Sequence, residues 1–279
     1  MAGSRTRINA NGAVTPQQLG FFASHGFLDL GPLLGADETR RWQQAFEAAL
    51  RDPDAAPLWR ESSGGSTYGV TNAVNADILL TAPEWDQLFR HPKILPVVEA
   101  LMGREVCLNE VSLRQLSADG STFFRDWHRD DYNTWTDFGE SEHPLRLGYL
   151  QLMVYLSDVD ETTHCISFSP EAVGDPALCP AEDTDEDARA QLAARGVYDL
   201  HGPAGTVCLF NSEILHTATT RPTRAERRSV QAYYGHLDAP SNNEQSAYPA
   251  SLWRDSADAE TRRFYSKVTD RTRQLASKL

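Results

Sequence analysis

The texture of the chain changes at Gly103. Ahead of it, apolar residues recur at helical spacing, as in Trp42, Phe46 and Leu50. Beyond it come short runs punctuated by Gly and Pro: Val106 to Leu116, Thr122 to His128, Leu147 to Leu156, Thr206 to Phe210 and Ser229 to Tyr234. This pattern predicts an antiparallel barrel or sandwich with helices in front of it. Thr15 can cap a first helix with Pro16 in its first turn, and Gly26 breaks it before the short strand Phe27-Leu28-Asp29-Leu30. Residues 51–75, rich in Pro, Gly, Ser and Asp, read as a loop, and Pro96 to Met102 as a short helix closed by Gly103.

A chain of 279 residues with 41% apolar content can bury a substantial core. We expect a flexible tail over 1–14 and one domain over 15–279. Within it, a helical part spans 15–103, a strand-rich core about 104–237, and a helical C-terminal segment 251–279. An acidic insertion, about 171–204 and including PAEDTDEDARAQLAARG, interrupts the core and suits a solvated surface helix. The formal charge of −13 would repel a phosphate backbone, so nucleic acid is not an expected partner. No apolar run approaches bilayer length, so no membrane is expected either. Cys107, Cys165, Cys179 and Cys208 lack metal-type spacing and read as packed thiols. The start has no secretory pattern, which suits a cytoplasmic protein; Ser277-Lys278-Leu279 would be a peroxisomal address in a eukaryote.

Chemistry concentrates in two places. In DWHRDDYN, a strand would place Asp126, His128 and Asp130 on one face and Trp127 and Arg129 on the other, so His128 and Asp130 could grip one cation. Taken singly, His128 also reads as a hydrogen-bonded strand residue and Asp130 as a turn former. A third ligand is offered by His216, after the apolar strand Thr206 to Phe210. Arg227 and Ser229, two apart, face the same way, and a guanidinium beside a hydroxyl can hold a carboxylate. A register slip by one would give that role to Arg228. The other histidines, His25, His91, His143, His164, His201 and His236, read as structural or surface residues.

With these residues in view, the chain resembles the iron(II)- and 2-oxoglutarate-dependent oxygenases of the phytanoyl-CoA dioxygenase type. The resemblance runs from GFFASHGFLDL to AYYGH and rests on His128-Arg129-Asp130, His216 and Arg227-Arg228-Ser229. It implies a double-stranded β-helix, or jelly roll, with flanking helices. It also implies Fe(II) held by His128, Asp130 and His216, 2-oxoglutarate held by Arg227 and Ser229, and O2 as second co-substrate. The implied activity is oxidation, chiefly hydroxylation, of an unactivated C–H bond with release of succinate and CO2. Related halogenases replace the carboxylate, so Asp130 favours hydroxylation, with desaturation, ring closure and other oxidative rearrangements still open. The chain departs from its relatives at Thr163 to Pro170, where they carry a Pro-Gly-Ser-His turn, at Ala218, and at Met153.

The expected partner is a small molecule, such as a specialised metabolite or an amino-acid-like compound. Asn109, Arg114, Tyr132, Trp135 and Met153 are candidates for its pocket, with Ser112 and Phe138 nearby. The acidic run from Asp130 to Glu142 disfavours a polyphosphate-bearing CoA thioester. Two other readings use the same ligands: a catalytically silent jelly-roll binding protein, and a zinc-dependent hydrolase or isomerase. The Arg227-Arg228-Ser229 pattern speaks for an oxoacid and against both.

Overall fold

The structure is a computed structural model and describes the chain except residues 1–13, 62–71, 104, 119–122, 124, 126, 131–144, 146, 174–191, 193, 223–224, 239–240, 242, 244 and 277–279. The tail over 1–13, Tyr132, Trp135, Phe138, His143, Cys179, most of the expected insertion helix and the C-terminal tripeptide therefore lie outside the described residues.

Thr15 caps helix α1 (Pro16–His25) through a capping box. Its side chain accepts from the Gln18 N–H, while Gln18 accepts from the Thr15 N–H. Gly26, at φ 75°, ends the helix in the left-handed conformation, and strand β1 (Phe27–Pro32) begins at once. Helix α2 (Ala36–Arg51) buries Trp42, Phe46 and Ala49 along one stripe. Next come β2 (Arg60–Glu61), β3 (Asn72–Asn75), α3 (Ile78–Thr81), α4 (Asp86–Phe89) and α5 (Leu95–Met102). The strand-rich part holds β4 (Val106–Leu116), β5 (Tyr149–Tyr155), β6 (Cys165–Phe168), β7 (Tyr198–Asp199), β8 (Thr206–Asn211), β9 (His216–Thr219) and β10 (Arg227–His236). Short helices α6 (Ala250–Trp253), α7 (Ala259–Phe264) and α8 (Asp270–Ala276) close the chain. None of the described helices is long and apolar enough to cross a membrane.

The strands form a seven-stranded sheet, β1-β8-β5-β10-β4-β3-β2, and a three-stranded sheet, β7-β6-β9. Every named pairing is antiparallel. Strand alternation divides the apolar residues into two cores. On β5 and β10, Leu150, Leu152, Val154, Val230, Ala232 and Tyr234 face the helices and pack with Trp42, Trp85, Phe89 and Val98. The intervening Met153 and Tyr155 face the other way and pack with Ile166, Phe168, Phe210 and Ile214 between the sheets. Burying each such side chain contributes roughly 1.5–3 kcal/mol.

Three expectations need correction. The run Thr122 to His128 is not a strand among its described residues; His128 makes only an isolated bridge to His216. Ladder growth stops there because the next amide, that of Asp130, donates instead to Ser212. Residues 51–75 are not all loop, since β3 pairs with β4 and β2 with β3. Their partner strand lies far along the chain, so local composition does not reveal it. The insertion is not wholly solvated: β7 pairs with β6, and Leu200 is fully buried. β6 itself has no counterpart in the sequence reading, because four buried residues are too few to show a period.

Candidate metal and anion site

β10 supplies the backbone of the site. Arg227, Ser229, Gln231 and Tyr233 occupy alternate positions and face the space between the sheets. Across the ladders, Ser229 lies opposite Tyr155 on β5 and Arg114 on β4, Gln231 opposite Met153 and Ser112, and Tyr233 opposite Gln151 and Glu110. One row of three adjacent strands thus carries a dense set of polar side chains.

The His128 bridge faces this row. His128 and His216 exchange both backbone hydrogen bonds at 3.0 Å, and their rings lie 4.5 Å apart. Asp130 follows two residues on, its Oδ1 3.5 Å from His128 Nε2 and its Oδ2 3.5 Å from His216 Nε2. One donor atom from each of these residues lies within 4.8 Å of the other two. The His216 Nδ1–H donates to the Ile214 carbonyl at 2.9 Å, which leaves the Nε2 lone pair toward Asp130. Asp130 Oδ2 also accepts from Gln151 Nε2 and, at 2.7 Å, from the Tyr233 hydroxyl. Burial by itself pushes the Asp130 carboxyl up, but the His216 and His128 imidazoles and the Tyr233 hydroxyl more than offset it and hold it well below the usual range. Burial pushes the Tyr233 phenol up, and neighbouring Asp130 adds to this, so Tyr233 stays a protonated donor. Two imidazoles and one carboxylate are a donor set suited to a ferrous ion with open positions.

Beside the triad is a cavity of about 80 Å3, lined among others by Arg114, Gln151, Met153, Arg227, Gln231 and Tyr233. Arg227 is 2% exposed, and its Nε and Nη1 have no hydrogen-bond partner among the described residues. Burial holds its guanidinium below the ordinary value, with Arg114 adding to the effect. Ser229 Oγ, on the same face of β10, is also buried without a partner among the described residues. A buried guanidinium without a carboxylate carries a desolvation cost of several kcal/mol, which an anion in the cavity would offset. The donor set matches a carboxylate held by Arg227 with Ser229 beside it.

A family model for phytanoyl-CoA dioxygenase matches residues 22–229. The chain belongs to the phytanoyl-CoA dioxygenase family. No curated protein matches it in sequence. Among solved structures it is similar to EctD from S. alaskensis with 2-oxoglutarate and 5-hydroxyectoine, at 23% identity over 93% of this chain and 90% of that chain, TM-score 0.63. It is also similar to the non-heme alpha-ketoglutarate-dependent carbocyclase SnoK from nogalamycin biosynthesis (18% identity, 85% of this chain, 89% of that chain, TM-score 0.64). HygX from Streptomyces hygroscopicus with nickel and 2-oxoglutarate bound is similar as well (18% identity, 88% of this chain, 95% of that chain, TM-score 0.60). The shared fold is the jelly roll, as the resemblance implied.

Within this family member, the residues singled out in the sequence fall into distinct places. His128, Asp130, His216, Arg114, Met153 and Arg227 line the one cavity. Arg228 does not: it faces outward, paired with Glu47 and with Glu226. Asn109 is not a lining residue either. It sits 1% exposed at the bulge where β4 falls out of step with β10, against Gly235, where a Cβ would approach its Nδ2 to 2.1 Å. His201 is not isolated, since it clusters with Cys165 and Asp199. That cluster is no metal centre: Arg125 donates to both Asp199 oxygens at 2.7 and 2.8 Å, and Arg221 to Cys165 Sγ at 3.0 Å, so two guanidiniums stand where a cation would bind.

Gln151, Gln231, Tyr233 and Glu171 were not anticipated. Counting on by twos from Arg227 and Ser229 would have found Gln231 and Tyr233. Glu171 had no local signal. This 4%-exposed carboxylate accepts a bidentate pair from Arg129 at 2.6 and 2.8 Å, a bond from Arg195, and the Leu215 N–H at 3.4 Å. Arg129 also donates to the Glu213 carbonyl. Glu171 thereby ties the segment bearing His128 and Asp130 to the residue preceding His216.

Proposed function

We propose that the protein is an Fe(II)- and 2-oxoglutarate-dependent oxygenase that hydroxylates an unactivated C–H bond of a small molecule. The observation that carries this reading is the buried Arg227 guanidinium with two unpartnered nitrogens, in one cavity with the His128, Asp130 and His216 triad. His128 Nε2, Asp130 Oδ1 and His216 Nε2 would hold the ferrous ion, and Arg227 with Ser229 the distal carboxylate of 2-oxoglutarate. When bound, the pair supplies oxidation by O2 coupled to decarboxylation to succinate and CO2.

The chain's own contribution is to orient and to exclude water. Gln151 and Tyr233 donate to Asp130 Oδ2 and so leave Oδ1 as the oxygen that would hold the ion. The Ile214 carbonyl keeps the His216 proton on Nδ1. Asp130 keeps the third protein ligand in place, which supports hydroxylation over halogenation. An unpartnered, buried guanidinium in the same cavity as the triad favours an oxoacid co-substrate over a zinc hydrolase or a silent binding protein.

Anaerobic addition of Fe(II) and 2-oxoglutarate should develop a visible charge-transfer band, and its absence from folded, iron-loaded protein would sink the reading. Asp130→Ala should abolish substrate-dependent succinate release; turnover at the wild-type rate would remove Asp130 from the centre.

A further inference from the structure

Arg114 brings a second guanidinium into the cavity. It stands directly across the ladder from Ser229, and its charge adds to the burial that disfavours the charge of Arg227. Its side chain makes one hydrogen bond, from Nε to Ser112 Oγ at 3.2 Å, and no ion pair among the described residues. The acid on the same row, Glu110, does not line the cavity; its Oε1 accepts the Gln245 N–H at 3.0 Å.

The charges of the loaded site can be counted on the proposed function, on which this inference rests. A divalent ion cancels the two carboxylates of 2-oxoglutarate, and Asp130 cancels one guanidinium. The second guanidinium remains, half-buried and uncompensated. A third ligand with one negative charge would neutralise it, whereas a phosphate dianion or a CoA chain with several phosphates would overshoot. Gln231 points the same way. It is 7% exposed, lines the cavity, and its Oε1 is an acceptor with no donor among the described residues. Unmade hydrogen bonds in a closed site are costly, so a ligand with an N–H or O–H there gains from making one.

We infer that the oxidised substrate is a small monocarboxylic acid carrying an N–H or O–H donor near its carboxylate, with Arg114 as the carboxylate anchor and Gln231 as the acceptor. Arg114 then sets specificity, and Arg227 serves the co-substrate alone. A planar fork presented to a carboxylate gives two parallel charge-assisted bonds, which a neutral amide cannot reproduce.

The test uses the full chain with Fe(II) and 2-oxoglutarate, without oxygen, and matched probes: N-acetylglycine, lactate and benzoate, each against its own amide. Binding is read from the change in the charge-transfer band and, independently, by calorimetry on the iron-free protein. At least one acid should bind about 10- to 100-fold more tightly than its amide. Arg114→Gln should erase that preference, Arg114→Lys should restore part of it, and 2-oxoglutarate affinity should stay within about twofold in both. The inference is overturned if no acid is preferred over its amide, or if the preference survives Arg114→Gln. It is equally overturned if Arg114→Gln weakens 2-oxoglutarate as strongly as Arg227→Gln, since both guanidiniums would then serve the co-substrate. Failure of the band in wild-type protein strikes the oxygenase reading instead, and the calorimetric comparison still reports on Arg114.

Discussion

Asp130 takes four neighbours at two oxygens: both imidazoles, Gln151 and Tyr233. Hydrogen bonds to a charged carboxylate are worth about 1.5–3 kcal/mol each, and partners behind a ligand typically tune metal affinity by about 10- to 100-fold. Tyr233→Phe should therefore weaken Co(II) binding to the iron-free protein by about tenfold while leaving the fold intact; unchanged affinity would assign the orienting role to Gln151 alone. Glu171 acts at one remove. Removing its charge takes from Arg129 and Arg195 the buried carboxylate that both hold, a change that costs about 3–5 kcal/mol. Glu171→Gln should lower the denaturant midpoint accordingly and weaken Co(II) binding, because Arg129 and Leu215 lose their common partner. A variant with wild-type midpoint and affinity would make the buried cluster dispensable.

Among the elements, β10 decides most. Its pleat turns Arg227 inward and Arg228 outward, where Arg228 pairs with Glu47 and Glu226 at side-chain exposures of 22% against 36% and 35%. Exposed pairs contribute about 0–1 kcal/mol. Arg228→Gln should thus leave 2-oxoglutarate affinity unchanged, whereas Arg227→Gln should reduce it about 100-fold, the loss of two charge-assisted bonds. Equal effects in titrations of both variants would mean a different register. The α1–β1 corner reaches the site from the other side. A Cβ on Gly26 would stand 2.3 Å from Ile214 Cγ2, at a residue already in the left-handed region. Gly26→Ala should cost about 1–3 kcal/mol in strain. It should also loosen metal binding, because the displaced Ile214 is the residue whose carbonyl fixes the His216 ring.

Across the molecule, the candidate centre draws on both sheets. His216 belongs to the small sheet, Arg227, Gln151 and Tyr233 to the large one, and Asp130 to the segment between β4 and β5. A ligand that binds only when these parts are together stabilises the whole fold by mass action, about 2.7 kcal/mol at a hundredfold excess over its dissociation constant. For a chain of this size that is a rise in melting temperature of about 5–10 °C. Co(II) or Mn(II) should produce it in scanning calorimetry, chelation should reverse it, and Asp130→Ala should not show it. A shift that persists in Asp130→Ala would place the ion elsewhere.

What the chain's order of residues determined by itself is what depends on near neighbours. The capping box at Thr15, the break at Gly26 and the shared face of Arg227 and Ser229 follow from backbone periods that act over a few residues. The strands Val106 to Leu116 and Thr206 to Phe210 were legible for the same reason. The resemblance carried His128, Asp130 and His216 as a set, although the strand first used to align His128 with Asp130 shrank to a single bridge. Only the tertiary structure decided that His216 meets His128, that Arg227 rather than Arg228 faces the cavity, that Asn109 lies outside it, and that Glu171 fastens the segments bearing His128 and His216. Those facts depend on which distant strands pair and in what register. A one-residue slip in a pairing exchanges the faces of a strand, and no local pattern records which partner will arrive.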